Sequence, residues 1–253
     1  MSLRIGDAVG DGVRRAATYS GGLLMALVFV YQLLLVGGFN RIATAVLPPE
    51  AQARSELGLV LPVPVAVAAG LVVVGLLFGI VLYLWAARAL TRSQSELDSL
   101  PGELLTRRIG RATVSAVGAN VVVSIAVLIG FFLLIVPGIF LAISFMFVAF
   151  AVGVEDERAV DALRRSWTLA SGDRWPLSAL GLLILIATAV GSSLGSTLSL
   201  VSPIAGQVGS LALSSVLATV SYGILADAYV QLADEKPPGA DAGRPASDPA
   251  PVA

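Results

Sequence analysis

The sequence predicts an all-α polytopic membrane helix bundle with six transmembrane helices and short amphipathic helices on one face. Three observations predict it. Hydrophobic residues make up 57% of the chain and charged residues 13%, whereas soluble domains run near ~45–50% apolar and ~25% charged. The apolar excess is gathered into long runs, and about 20 apolar residues cross the hydrocarbon of a bilayer. The arginines lie between the runs and collect on one side once six crossings are drawn.

Residues 22–39 form the first run, which ends in Phe39-Asn40-Arg41. It exceeds the ~7–15 residues of a signal-peptide core, and that ending differs from the small residues of a cleavage site, so it reads as an uncleaved span. A polar, proline-containing loop follows. Residues 64–87 form the second span, closing on Tyr83 and Trp85, aromatics that suit the membrane–water interface. A charged segment over 88–112 leads to the third span, 113–136, which meets Pro137-Gly138.

The fourth span, 139–154, is short. At about 1.5 Å per residue it covers ~24 Å of a ~30 Å core. Pro137-Gly138 is read as a tight hairpin turn, with a break inside a re-entrant pair as the alternative. After a second charged segment come the fifth span, 178–200, and, past Ser202-Pro203, the sixth, 206–231. The membrane domain is therefore placed at 1–232. Residues 233–253, rich in Pro, Ala, Gly and Asp, bury too little surface to order themselves and read as a disordered tail.

Arginine and lysine in short loops set orientation. Of the 16 basic residues, all except Arg41 and Arg54 fall on the face that carries both termini. That face is expected in the cytoplasm, making this a multi-pass protein of the cell membrane.

The arginine segments also resemble one another. Asp11, Arg14, Arg15 and Thr18 recur at one constant offset as Asp161, Arg164, Arg165 and Thr168, and Arg107-Arg108 precedes the third span in the same manner. Three units are expected, each a short helix followed by a helical hairpin; arginine-rich approaches to odd-numbered spans are also what topology alone produces. Within 155–171, Val160, Leu163, Trp167 and Ala170 share one helical face. Such a helix lies in the headgroup layer or packs on the ends of the spans. Arg14, Arg15, Arg107, Arg108, Arg164 and Arg165 are the candidate contacts to lipid phosphate.

Several chemistries are excluded. The chain has no histidine and no cysteine, which removes thiol catalysis, disulfides, ordinary zinc sites and imidazole acid–base work. A net charge of −1 gives no field for nucleic acid. No glycine loop for phosphate is present, and the serines lack a base. Glu155, Asp156, Glu157 and Asp161 match no cation-binding loop and suit a helix N-terminus.

Val136-Pro137-Gly138-Ile139, Val154-Glu155-Asp156, Asp161–Trp167, Ser171-Gly172 and Trp175 resemble a group of uncharacterised membrane domains. The group includes the domain attached to some glycerophosphoryl diester phosphodiesterases and stand-alone archaeal and bacterial proteins. The resemblance implies a helical membrane fold. It does not imply phosphodiesterase activity, which would reside in a separate soluble barrel with carboxylates, histidines and a metal.

Ionisable and polar groups within spans are the remaining candidates. Asp227 lies about one turn from the inner end of the sixth span; its readings are a cation ligand, an arginine partner, or a carboxylate reaching the interface. Gln32 and Asn120 either line a substrate path or bond between helices. Small-residue rows, Gly75 with Gly79, Gly191 with Gly195, and Ser215-Thr219-Gly223 among them, suit close helix packing or a homo-oligomer seam. The expected function is non-enzymatic: an accessory, scaffold or lipid-contacting protein of the bilayer, needing no cofactor and partnered by lipid, a second copy or another membrane protein. A transporter or lipid-handling permease is the alternative.

Overall fold

The computed structural model describes residues 3–54, 58–98, 102–197 and 202–237, and every regular element among them is helical. In chain order these are α1 (Ile5–Ala16), α2 (Tyr19–Val46), α3 (Pro49–Arg54), α4 (Val65–Leu90), α5 (Gly102–Thr106), α6 (Ile109–Leu133), α7 (Ile135–Ser144), α8 (Val148–Val154), α9 (Ala159–Ala170), α10 (Arg174–Thr197) and α11 (Pro203–Glu235). Six helices are long and apolar enough to cross a membrane, with α7 and α8 together making the fourth.

The order is a short helix and a hairpin, three times over. Each short helix packs on the closing helix of the preceding unit, and the ring closes: α5 on α4, α9 on α8, and α1 on α11. The second unit departs from the expected pattern. Its short helix ends at Thr106, so Arg107 and Arg108 fall in the turn before α6.

The helices extend past the predicted spans wherever polar residues can be carried. Thr18 caps α2 by accepting the Gly21 N–H at 3.3 Å, so that helix starts at Tyr19, before the apolar run. Ser202 does the same for α11. At its other end α11 continues to Glu235, and Lys236 is bonded to the bundle. The predicted tail thus begins too early; residues 238–253, like 198–200 of the predicted fifth span, lie outside the described residues.

The middle hairpin corrects the reading of Pro137-Gly138. The chain turns on the single extended residue Leu134 (φ −163°, ψ 151°). Pro137 lies in the first turn of α7, where its missing N–H has no intrahelical partner to lose. Gly138 is the contact point of the two limbs: a Cβ on Gly130 would stand 2.9 Å from its Cα. The fourth span does break, but at Phe145–Phe147. There Ser166 of α9 accepts the Phe147 N–H at 3.2 Å and donates to the Ser144 carbonyl at 2.9 Å. A side chain from another helix repairs the interrupted ladder.

Large side chains gather toward the charged end, where Phe147, Phe150, Leu177, Leu180 and Tyr229 form one buried cluster. Outward faces are apolar and exposed, as with Val74, Leu128, Phe132 and Leu185, which is the arrangement lipid requires. The small-residue rows are used inside the chain: Gly75 meets Leu35, Gly191 meets Leu217, and Ser215, Thr219 and Gly223 are buried.

Candidate functional site

The charged ends of the helices meet in three groups of ion pairs. The first is set by a glycine contact. Added Cβ atoms on Gly12 and Gly223 would each stand 2.5 Å from backbone of the other helix, so α1 lies directly on α11. One turn further along, Arg15 meets Asp227. Arg15 Nη2 donates to Asp227 Oδ1 at 3.2 Å, and Nη1 donates to the carbonyls of Leu90 and Arg92, both at 2.6 Å. Asp227 Oδ2 accepts from Gln231 Nε2 at 2.8 Å, and Gln231 Oε1 accepts the Arg4 N–H at 3.1 Å. The two charged side chains keep only 10% and 9% of their surface, so this pair is desolvated and far from the weak surface kind.

The second group joins α9 to the end of α11. Arg165 Nε donates to both Glu155 carboxylate oxygens at 3.0 Å, and the Tyr229 hydroxyl donates to Glu155 Oε1 at 2.5 Å. Arg165 Nη1 donates to the Lys236 carbonyl at 2.6 Å. Lys236 Nζ reaches the carbonyls of Leu169 and Ser171 and Asp173 Oδ2, the last at 3.0 Å. Asp173 Oδ1 accepts the Leu3 N–H at 3.4 Å. Both described chain ends are therefore fastened to the same corner.

The third group centres on Asp156. Its backbone is left-handed (φ 57°), a conformation that aspartate tolerates better than most residues. Arg88 Nη2 lies 3.5 Å from Asp156 Oδ1, Arg107 pairs with the same carboxylate, and Arg111 donates to its carbonyl at 2.9 Å. Buried Arg88 also donates from Nε to the Gly153 carbonyl at 2.7 Å and from Nη1 to that of Arg107 at 2.8 Å. Nearby, the Ser93 hydroxyl and amide bond Glu96 and hold its carboxyl below the usual carboxylate range.

These contacts sort the predicted residues. Arg15 and Arg165 do not face lipid phosphate: each is turned inward onto a carboxylate. Arg107 is exposed but pairs with Asp156. Arg14 and Arg164 are 75% and 79% exposed, each leaning on the aspartate three residues earlier, and Arg108 is exposed in its turn. These three point outward. Asp227 takes its arginine-partner reading. Gln32 bonds between helices, accepting from Ser214 at 2.6 Å. Among the described residues Asn120 bonds within α6, to the Ala116 carbonyl at 2.9 Å, and it lines a cavity of about 350 Å³ with Tyr83 and Ser124. Three of the four acids at 155–161 are held by arginines: Glu155 by Arg165, Asp156 by Arg88 and Arg107, Asp161 by Arg164.

The predicted apolar face of α9 is divided: Ala170 is buried and Leu163 packs on the core, while its other two members turn outward. Ala162, Ser166, Leu169 and Ala170 are buried, while Val160 and Trp167 are exposed. Small side chains permit the approach to α8, and Arg165 is admitted because Glu155 neutralises it. Sequence reasoning passed over Arg88, Tyr229 and Lys236 as site residues. The shared offset of Arg15 and Arg165 was the available signal, since equivalent positions imply equivalent roles.

Six apolar helices with their charges paired at one end define a multi-span helical membrane protein. Residues 3–232 match the family described as "Domain of unknown function (DUF7847)", and the chain belongs to that family. The match names no activity and no tie to glycerophosphoryl diester phosphodiesterases. No curated protein and no solved structure matches the chain.

Proposed function

We propose that this is a non-enzymatic accessory or scaffold protein of the cell membrane, with both termini cytoplasmic, whose charged face contacts lipid headgroups. The observation that carries this reading is the division of labour among the arginines. Asp227, Glu155 and Asp156 each hold a guanidinium, so the groups that acid–base chemistry would need serve to fasten helices. Arg14, Arg108 and Arg164 remain outside them, on one surface, where anionic headgroups are met. A second copy or another membrane protein is the partner such a surface would serve. The likeness to membrane domains of phosphodiesterases is taken as one of architecture.

The test is reconstitution. Full-length protein in phosphatidylcholine nanodiscs is expected to gain thermal stability when phosphatidylglycerol is added, and to lose most of that gain in Arg14→Gln/Arg108→Gln/Arg164→Gln. No response in either protein would sink the headgroup reading. Transport is the second reading, favoured by the cavity beside Asn120. Saturable solute uptake by proteoliposomes, abolished by Asn120→Leu, would establish it and overturn the accessory role.

A further inference from the structure

Arg174 behaves unlike the buried arginines around it. Arg15, Arg88 and Arg165 each hold a carboxylate. The Arg174 guanidinium instead lies over two rings that meet edge to face, 4.5 Å from the centroid of Phe140 and 5.0 Å from that of Trp167. Its Nε is buried without an acceptor among the described residues. Stacking on aromatic faces holds a guanidinium in place while leaving its N–H edge available to an anion.

An apolar groove starts at this point. It holds about 320 Å³ between α7 and the first turns of α10, lined by Val136, Ile139 and Ile143 on one side and Trp175 and Ser178 on the other. That volume falls in the ~300–1,000 Å³ range of small-molecule sites. Trp175 is 88% exposed, as suits an aromatic at headgroup level. From Phe140 to the turn at Leu134 the helix axis advances ~9 Å at about 1.5 Å per residue. The groove therefore joins a cation at the charged rim to the exposed apolar turn.

We infer that this groove seats one phospholipid, its phosphate on Arg174 and an acyl chain along α7. The charge at one end and the apolar walls beyond it match both halves of such a molecule. A free phosphate would have no use for the walls. The inference rests on the lipid-contacting reading of the charged face and adds a defined site to it.

Two of the three tryptophans, Trp167 and Trp175, flank the groove, so fluorescence reports occupancy. Full-length protein in dodecylmaltoside is titrated with phosphatidylglycerol carrying brominated acyl chains, which quench on contact. Saturable quenching is expected, with affinity reduced roughly ten- to hundred-fold in Arg174→Gln, the cost of one charge-assisted hydrogen-bonding partner. Arg174→Lys should fall between the two. Brominated diacylglycerol, lacking phosphate, should bind wild type and Arg174→Gln alike. Ile139→Phe, which fills the groove, should weaken both lipids.

Unchanged phosphatidylglycerol affinity in a folded Arg174→Gln overturns the site, as does full displacement of the lipid by inorganic phosphate. The Arg14→Gln/Arg164→Gln variant separates the two readings. If it alone loses affinity, the groove fails and general headgroup contact stands. If neither variant responds, both fail.

Discussion

Asp227 is a carboxylate inside a membrane span, and the bilayer tolerates it because Arg15 neutralises it from another helix. Removing one member of a buried pair leaves the other charged and unpaired, at a cost of about 3–5 kcal/mol. Arg15→Met and Asp227→Leu should each lower the temperature at which the protein survives size-exclusion chromatography. The double variant should recover most of the loss; a double variant as unstable as the summed singles would contradict the pairing. Gln32→Ala should cost only about 0.6–2 kcal/mol by the same assay, the usual worth of a hydrogen bond between membrane helices. Asp227 was legible as an outlier because it is charged in an apolar run. Its partner was not, because it lies 212 residues away among many similar arginines. The inward turn of Arg15 and Arg165 was hidden for a related reason: sequence shows a basic residue beside a membrane but not which way it points.

At the scale of elements, the apolar runs located the spans, while their ends depended on caps and contacts that polar composition conceals. The middle hairpin shows why. Proline beside glycine signals a turn in isolation, but proline is equally at home in a helix's first turn. The break at Phe145–Phe147 carries no proline, glycine or polar residue; it exists because Ser166 of α9 satisfies it. Ser166→Ala should leave the Phe147 N–H and Ser144 carbonyl unpaired and cost about 1–3 kcal/mol for the buried group. Gly223→Leu should be more disruptive, since its Cβ would stand 2.5 Å from the Gly12 carbonyl oxygen. Limited proteolysis should then cut the N-terminal residues, whereas Gly6→Ala, with nothing within 4 Å, should leave the pattern unchanged.

For the whole molecule, the ring of short helices couples units distant in sequence. The last span receives the first helix, and Lys236 ties the end of α11 to the corner between α9 and α10. Lys236→Ala should therefore loosen that corner, read as faster amide exchange around Ser171. The repeat was visible as two arginine segments. Its closure into a ring was not, because the second unit lacks the matching arginine helix. Orientation is directly measurable, since the chain contains no cysteine to give background. In intact cells Glu50→Cys should react with a membrane-impermeant maleimide, and Arg158→Cys should not; the reverse pattern would invert the protein.

The turn at Leu134 bears on how the chain is made. Residues 125–143 contain no polar or charged side chain, so the insertion machinery meets no hydrophilic loop between α6 and α7. Nothing marks where the first helix should be released to lipid before the second arrives. The two limbs are therefore expected to enter the bilayer as one paired piece, closed by the contact of Gly130 with Gly138, so that a hairpin, rather than a helix, is the unit delivered.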